Sequence, residues 1–309
     1  MIGHLVTDNG APGTMLRGLT LNGSARVVLV LVEGPAREMI RRHGLKGDAA
    51  RVLAEGLVTT AILGAHIKGT ERLFVQVQAD APKFSFLGEV TGDGGVRARV
   101  VPDVLSLTGP IEGVLQAVKW DGPRELYRGL SPIEEGSFEG ALSSYFTRSQ
   151  QTTGLVRLGV SLNDDGTIRQ AAGLLIERMG GDESSLEAFV AAIEPLRSAS
   201  MEELVVGALS EELLGGVEVL AQTTLLFACT CSMERVESTL VALGAADLRA
   251  LATEQGGTEV DCHFCSTQYR VTGARLLSRW PGEAPGGSRG PRGPTAMVPW
   301  RTTPRPSTV

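Results

Sequence analysis

"FACTCSMERV", residues 227–236, and "VDCHFCSTQY", residues 260–269, carry all four cysteines of the chain. Cys229 and Cys231 form a C-x-C pair, and after thirty intervening residues Cys262 and Cys265 form a C-x2-C pair. Two dithiol pairs in this arrangement can converge on one tetrahedral Zn²⁺ as four thiolate ligands. No cysteine is left over to compete for the site. A four-thiolate site is closed, with no open position for water or substrate, which argues against zinc hydrolysis. His263 lies inside the second pair, but four sulfurs already fill the coordination shell, so it reads as exposed or hydrogen-bonded. His4, His43 and His66 are scattered and read as structural.

The same sulfurs have a second chemistry. Metal-bound thiolates are deprotonated, and the thiolate is the species that peroxide or hypochlorous acid attacks. Zn–S bonds of about 2.3 Å keep tetrahedral sulfurs roughly 3.7 Å apart, whereas a disulfide needs about 2.05 Å. Oxidising one pair therefore removes two ligands. A structural zinc supplies on the order of 10–16 kcal/mol to a small module, against about 5–15 kcal/mol of net stability for a whole domain. A unit of roughly fifty residues is expected to unfold when it loses the ion. A disulfide across a single intervening residue closes a very small ring, strained and readily reduced again. The residues alone leave two readings open: a permanent structural site, the commoner kind, and a switch.

The bulk properties fit either reading. A length of 309 residues predicts two or three folded units. Hydrophobic residues at 42% and charged residues at 21% are ordinary for a globular protein. A net charge of −6 argues against a nucleic-acid or acidic-membrane partner. The first thirty residues lack the basic start, apolar stretch and cleavage site of a secretory signal, and the apolar run "VVLVLV" at 27–32 is too short to span a bilayer. A cytoplasmic protein is expected, and in a reducing compartment clustered cysteines are metal ligands or redox thiols rather than a disulfide framework.

Four segments follow from the pattern. Residues 1–179 read as an α+β domain with mostly antiparallel sheet: a buried strand at "ARVVLVL", a helix from "DAARVLAEGL", and hairpins turning at Gly92–Gly95 and at Asp165–Gly166. Residues 180–226 read as an acidic amphipathic helical linker. Within 182–218 nine acidic residues face one basic residue, Arg197, while Leu186, Phe189, Val190, Ile193, Leu204, Val205, Leu209 and Leu213 recur at helical intervals. Residues 227–279 read as the small C-terminal four-cysteine zinc domain, with one or two short helices between the pairs. Residues 280–309, rich in proline, glycine and arginine, read as disordered.

The cysteine segment resembles the signature of the redox-regulated heat-shock chaperones, the thirty-three-kilodalton chaperonin family. The likeness lies in C-x-C-S-x-E-R, carried by Cys229, Cys231, Ser232, Glu234 and Arg235, and in C-x-F-C followed by Tyr269. "LSSYFTRSQQTTGLVRLGV" is similar to a second family segment, with Gln150 where Glu is usual. "IKGTERLFVQVQADAPKFSFLGEVTGDGGVRARV" resembles the central strands, with Ala81-Pro82 in place of Gly-Pro. The resemblance covers residues 15–279. It implies an ATP-independent holdase, inactive while Cys229, Cys231, Cys262 and Cys265 hold one Zn²⁺. Oxidation then forms Cys229–Cys231 and Cys262–Cys265 disulfides, expels zinc, unfolds the C-terminal unit and linker, and favours a homodimer that captures unfolding client proteins. The linker's apolar face is the one hint of a client surface.

Two other functions stand against this expectation. A constitutive zinc-ribbon adaptor would bind protein with its zinc insensitive to peroxide; for nucleic acid, a net charge of −4 across 229–265 has the wrong sign. A dithiol oxidoreductase using Cys262 and Cys265 would need that pair at a strand-to-helix junction near the start of an α/β domain, and here it lies near the end of the chain. No G-x-S-x-G, P-loop or dinucleotide fingerprint is present, so the chain reads as no enzyme.

Overall fold

The computed structural model describes residues 11–209, 213–278 and 300–303. His4 and most of the 280–309 segment expected to be disordered lie outside the described residues. The chain divides between Ala228 and Cys229 into two compact units.

In the first unit, strands β1 (Gly13–Thr20) and β2 (Ala25–Leu31) lead into helices α1 (Glu33–His43) and α2 (Gly47–Leu63). Strands β3 (Glu71–Ala81), β4 (Phe84–Thr91) and β5 (Gly95–Val101) follow as a meander, and the hairpin β6 (Glu112–Asp121) and β7 (Arg124–Pro132) returns to pair through β6 with β3. Helix α3 (Phe138–Ser149) precedes the hairpin β8 (Gly154–Leu162) and β9 (Ile168–Arg178). Helices α4 (Glu183–Ile193) and α5 (Met201–Leu209) and strand β10 (Val217–Phe227) complete it. All ten strands form one sheet in the order β7-β6-β3-β4-β5-β10-β1-β2-β9-β8. Every neighbouring pair is antiparallel except β10 beside β5. The α+β class with mostly antiparallel sheet is the one the sequence predicts.

Helix α2 is apolar nearly all round because it is covered nearly all round. It packs against β4, β5, β8 and β9 and buries Val52, Leu53, Leu57, Val58 and Ile62. Gly56 is required by close approach: a Cβ there would lie 2.3 Å from the Phe86 ring. On the same helix, burial pushes the Glu55 carboxyl up to about 7, opposed by Arg51 and reinforced by Glu139 and Asp48.

Strand alternation gives the sheet a second buried face. Gly173 of β9 faces Val58 and Ile62 of α2, while its neighbours Ala172 and Leu174 join a core with Val27, Leu29, Leu155 and Ile176. That core is covered by Phe189 and Ile193 of α4 and by Met201, Leu204 and Ala208 of α5. The cover is thin: α4 buries only Phe189 and Ile193. Gly159 leaves room for Met201, whose Cγ would lie 2.3 Å from a Cβ at that position. Arg157 of β8 fastens the bend between the two helices, its Nη1 donating to the carbonyls of Leu196, Arg197 and Ala199. Arg178 Nη2 donates to Asp182 O and Ser185 Oγ at the start of α4.

One expectation is corrected. The sequence reading continues the helical linker to residue 226, but Val217–Phe227 is strand β10, seated between β5 and β1. Acidic residues stop at Glu218, and β-branched Val217, Val219, Thr223 and Thr224 suit a pleated strand better than a helix.

The second unit holds helices α6 (Met233–Val241) and α7 (Ala245–Thr253), strands β11 (Gly257–Cys262) and β12 (Gln268–Thr272), helix α8 (Gly273–Ser278) and strand β13 (Trp300–Thr303). The strands form an antiparallel sheet in the order β12-β11-β13, so Trp300–Thr303 departs from the expected disorder. Val236, Leu240, Leu248, Ala252, Val260, Val271 and Leu276 make a small core. No helix among the described residues is long and apolar enough to cross a membrane.

Two outcomes are expected. Arg157→Met removes three carbonyl partners and should lower the local stability of residues 183–209 by on the order of 2 kcal/mol. Hydrogen exchange of the reduced protein reads this directly, and unchanged protection there would refute the fastening role. Because the Glu55 pKa is raised on folding, the native state holds a proton that the unfolded chain has lost between about pH 4.5 and 7. Stability contributed by that proton is lost as pH rises through the window. Glu55→Gln should flatten the fall in urea midpoint, and an unaltered pH slope would exclude Glu55 as its source.

Candidate metal centre

The sulfurs are brought together by two short loops with different locks. Cys229 and Cys231 immediately precede α6, whose N-cap is Ser232; its Oγ accepts from Arg235 N at 3.3 Å. Arg235 also turns back, donating from Nη1 to Thr230 O at 2.8 Å and to Thr230 Oγ1, so it holds the residue between the two cysteines. Motif residues Ser232 and Arg235 thus shape the C-x-C loop.

The second pair sits in a knuckle between β11 and β12. Ser266 N donates to Cys262 O at 2.8 Å, and Cys262 N donates to Thr267 O at 2.9 Å. Ser266 takes a left-handed conformation with φ 54°, a strained position for a residue with a Cβ. Tight closure of the knuckle sets it there.

All four cysteines are buried, and their Sγ atoms all lie within 4.8 Å of one another. Cys229 Sγ is 3.6 Å from Cys262 Sγ, and Cys231 Sγ is 3.3 Å from Cys265 Sγ. These spacings bracket a cavity that one small tetrahedral cation fits, since tetrahedral M–S bonds of about 2.3 Å place sulfurs roughly 3.7 Å apart. Mutual hydrogen bonding among the thiols separates their acidities. Bonds from Cys231 and then Cys262 hold Cys229 down to about 6, and bonds led by Cys229 lower Cys265. Contacts led by Cys229 raise both Cys231 and Cys262. A bound cation displaces the remaining protons, so metal affinity rises with pH.

Hydroxyls reach two of the sulfurs. Tyr269 Oη donates to Cys231 Sγ at 3.0 Å, and Cys265 Sγ pairs with Thr267 Oγ1 at 3.1 Å. Burial, then the bond to Cys231, pushes the Tyr269 phenol well above its ordinary range. Glu237 of α6, 2% exposed, forms an ion pair with Arg275 of α8 and ties those helices together. Glu237, Arg275 and Thr267 carry no sequence signal of these roles: the first two stand 38 positions apart, and Thr267 looks like any knuckle residue.

His263 is absent from the clustered ligands and only half-buried. His43 Nδ1 lies 2.8 Å from Arg99 Nη1, and His66 lies beside Arg26 and Glu177. Both are engaged within the first unit.

The fold and the sulfur cluster define a class: an α+β protein carrying a small unit built around a four-cysteine metal site. The chain belongs to the Hsp33 family, whose model, described as Hsp33 protein, matches residues 13–272. It is 30% identical over 279 residues to the 33 kDa chaperonin of Bacillus cereus (strain G9842), covering 84% of this chain and 95% of that protein. It is 30% identical over 285 residues to the 33 kDa chaperonin of Bacillus mycoides (strain KBAB4), covering 85% and 97%. The fold is similar to the crystal structure of the 33 kDa chaperonin (Heat shock protein 33 homolog) from Thermotoga maritima. The TM-score is 0.74 at 23% identity, covering 86% of this chain and 96% of that one.

Cys229→Ser leaves three sulfurs and should weaken Zn²⁺ binding more than about 100-fold in a chelator competition. Undiminished affinity in that variant would remove Cys229 from the ligand set.

Proposed function

We propose that this protein is a redox-regulated, ATP-independent chaperone of the holdase kind, inactive while Cys229, Cys231, Cys262 and Cys265 hold one Zn²⁺. The observation that carries the reading is the gathering of two buried dithiol pairs, mutually within 4.8 Å, inside a unit with a small apolar core. Membership of the Hsp33 family and the chaperonin names of its relatives support it. Zinc would contribute charge neutralisation and folding free energy, with no open position for hydrolysis.

In the active transition each pair closes on itself, Cys229 with Cys231 and Cys262 with Cys265. Two thiolates lose two electrons to a peroxide, the O–O bond breaks, and two protons complete two waters. Stripped of its ion, a unit of about fifty residues lacks the apolar core to stay ordered. Residues 180–216, with α4 and α5, act as the releasable linker beside the substrate-holding domain, 1–179, while β10 (Val217–Phe227) keeps its place in the sheet ahead of the switch that carries the cysteines. Helices α4 and α5 are 11 and 9 residues long, too short to persist without packing. Their release bares Val27, Leu29, Leu155, Leu174 and Ile176, an apolar face suited to non-native chains. The acidic surface of the linker keeps the released segment soluble. The oxidised protein pairs as a homodimer in the cytoplasm and holds unfolded or partly folded clients.

The test follows zinc release with a chromogenic chelator while light scattering reports aggregation of a denatured client. Peroxide at elevated temperature should release about one zinc per chain and suppress scattering together. Equal suppression by the reduced, zinc-loaded protein would defeat the switch, and zinc that survives peroxide would favour a constitutive adaptor.

A further inference from the structure

The two hydroxyls beside the sulfurs are distributed one to each dithiol pair. Tyr269 Oη is 3.0 Å from Cys231 Sγ of the first pair, and Thr267 Oγ1 is 3.1 Å from Cys265 Sγ of the second. Both are held from elsewhere. Tyr269 lies on β12 opposite Val260, and its ring packs on the core of the unit. Thr267 is pinned through its own carbonyl, which accepts from Cys262 N. As a thiol, Cys265 donates to Thr267 Oγ1; as a metal ligand it carries no proton, and the hydroxyl rotor at 3.1 Å is then placed to donate to the sulfur.

We propose that Tyr269 and Thr267 are positioning residues that each donate a hydrogen bond to one metal-binding thiolate, and thereby set how fast each dithiol pair is oxidised. A donor aimed at a thiolate stabilises the lone pair that must attack the peroxide oxygen. The bond is strongest to the anion and weakens as the sulfur passes into a neutral S–S bond, so it holds back oxidation. Tyr269 reaches Cys231 and Thr267 reaches Cys265, so the two hydroxyls act on different pairs. Closure of a pair still takes two electrons from two thiolates, delivers them to the peroxide, and uses two protons to release two waters. The proposal rests on the redox reading of this site for its regulatory meaning, while the hydrogen bonds themselves are testable without it.

Tyr269→Phe keeps the ring and Thr267→Val keeps the branched outline of the side chain, so each removes one hydroxyl from beside a sulfur. The first measurement uses full-length protein loaded with Co²⁺ and reads the sulfur-to-cobalt charge-transfer band. Each variant should move it to lower energy, and Thr267→Ser, which retains a hydroxyl, should restore the original position. The second takes Zn²⁺-loaded protein and follows initial rates of peroxide oxidation for each pair by peptide mass mapping, before the metal departs. Tyr269→Phe should speed closure of Cys229–Cys231 about tenfold and Thr267→Val closure of Cys262–Cys265 by a similar factor. An unmoved band with unchanged rates overturns the proposal. So does equal acceleration of both pairs by both variants, the sign of general loosening. If peroxide forms no disulfide in the unaltered protein, the switch reading fails. The band and per-cysteine alkylation rates of the reduced protein then decide the hydrogen bonds separately.

Discussion

Four sulfurs that surround one ion stand too far apart to bond, and two that bond stand too close to share the ion. This exclusion in distance organises the second unit. The spacings of 3.6 and 3.3 Å across the two pairs suit a small cation. The loops that impose them are locked by Ser232, Arg235 and the Thr267 carbonyl rather than by a large core. In a unit this small a bound ion can supply stability that short chains lack from hydrophobic burial. On the proposed reading, changing the chemistry of the sulfurs changes whether the unit keeps its fold.

Helices α4 and α5 are held by far fewer buried side chains than α2. Helix α2 is wrapped by sheet and helices, its contacts so close that Gly56 is needed under Phe86. Helices α4 and α5 lie on the other buried face with few anchoring side chains, and Arg157 and Arg178 supply polar ties along their length. Local opening is cheapest where apolar contacts are few and backbone bonds are near solvent. The proposed release of one covering with retention of the sheet draws on that difference.

The parts legible in the sequence were those whose chemistry forces a residue type at a spacing. Cysteine pairs, the glycine-rich turns at 92–95 and 165–166, and the helical period of α2 all carry their own physical reason. The similarity to the Hsp33 family was legible for the same cause, since its signature is the sulfur site and its caps. Strand β10 was hidden because it follows an acidic helical run, and only its pairing with β1 and β5 gives it a place. Glu237–Arg275, Thr267 at Cys265, and Arg157 at the α4–α5 bend join residues distant or unremarkable in sequence, so no local pattern announces them.

The most direct measurement compares backbone hydrogen exchange across residues 229–278 in the zinc-bound reduced protein and in protein with both dithiol pairs fully oxidised. Slow exchange is expected throughout α6, α7, β11 and β12 in the first state and exchange at unfolded-chain rates in the second. Equal protection in both states would contradict the proposed switch.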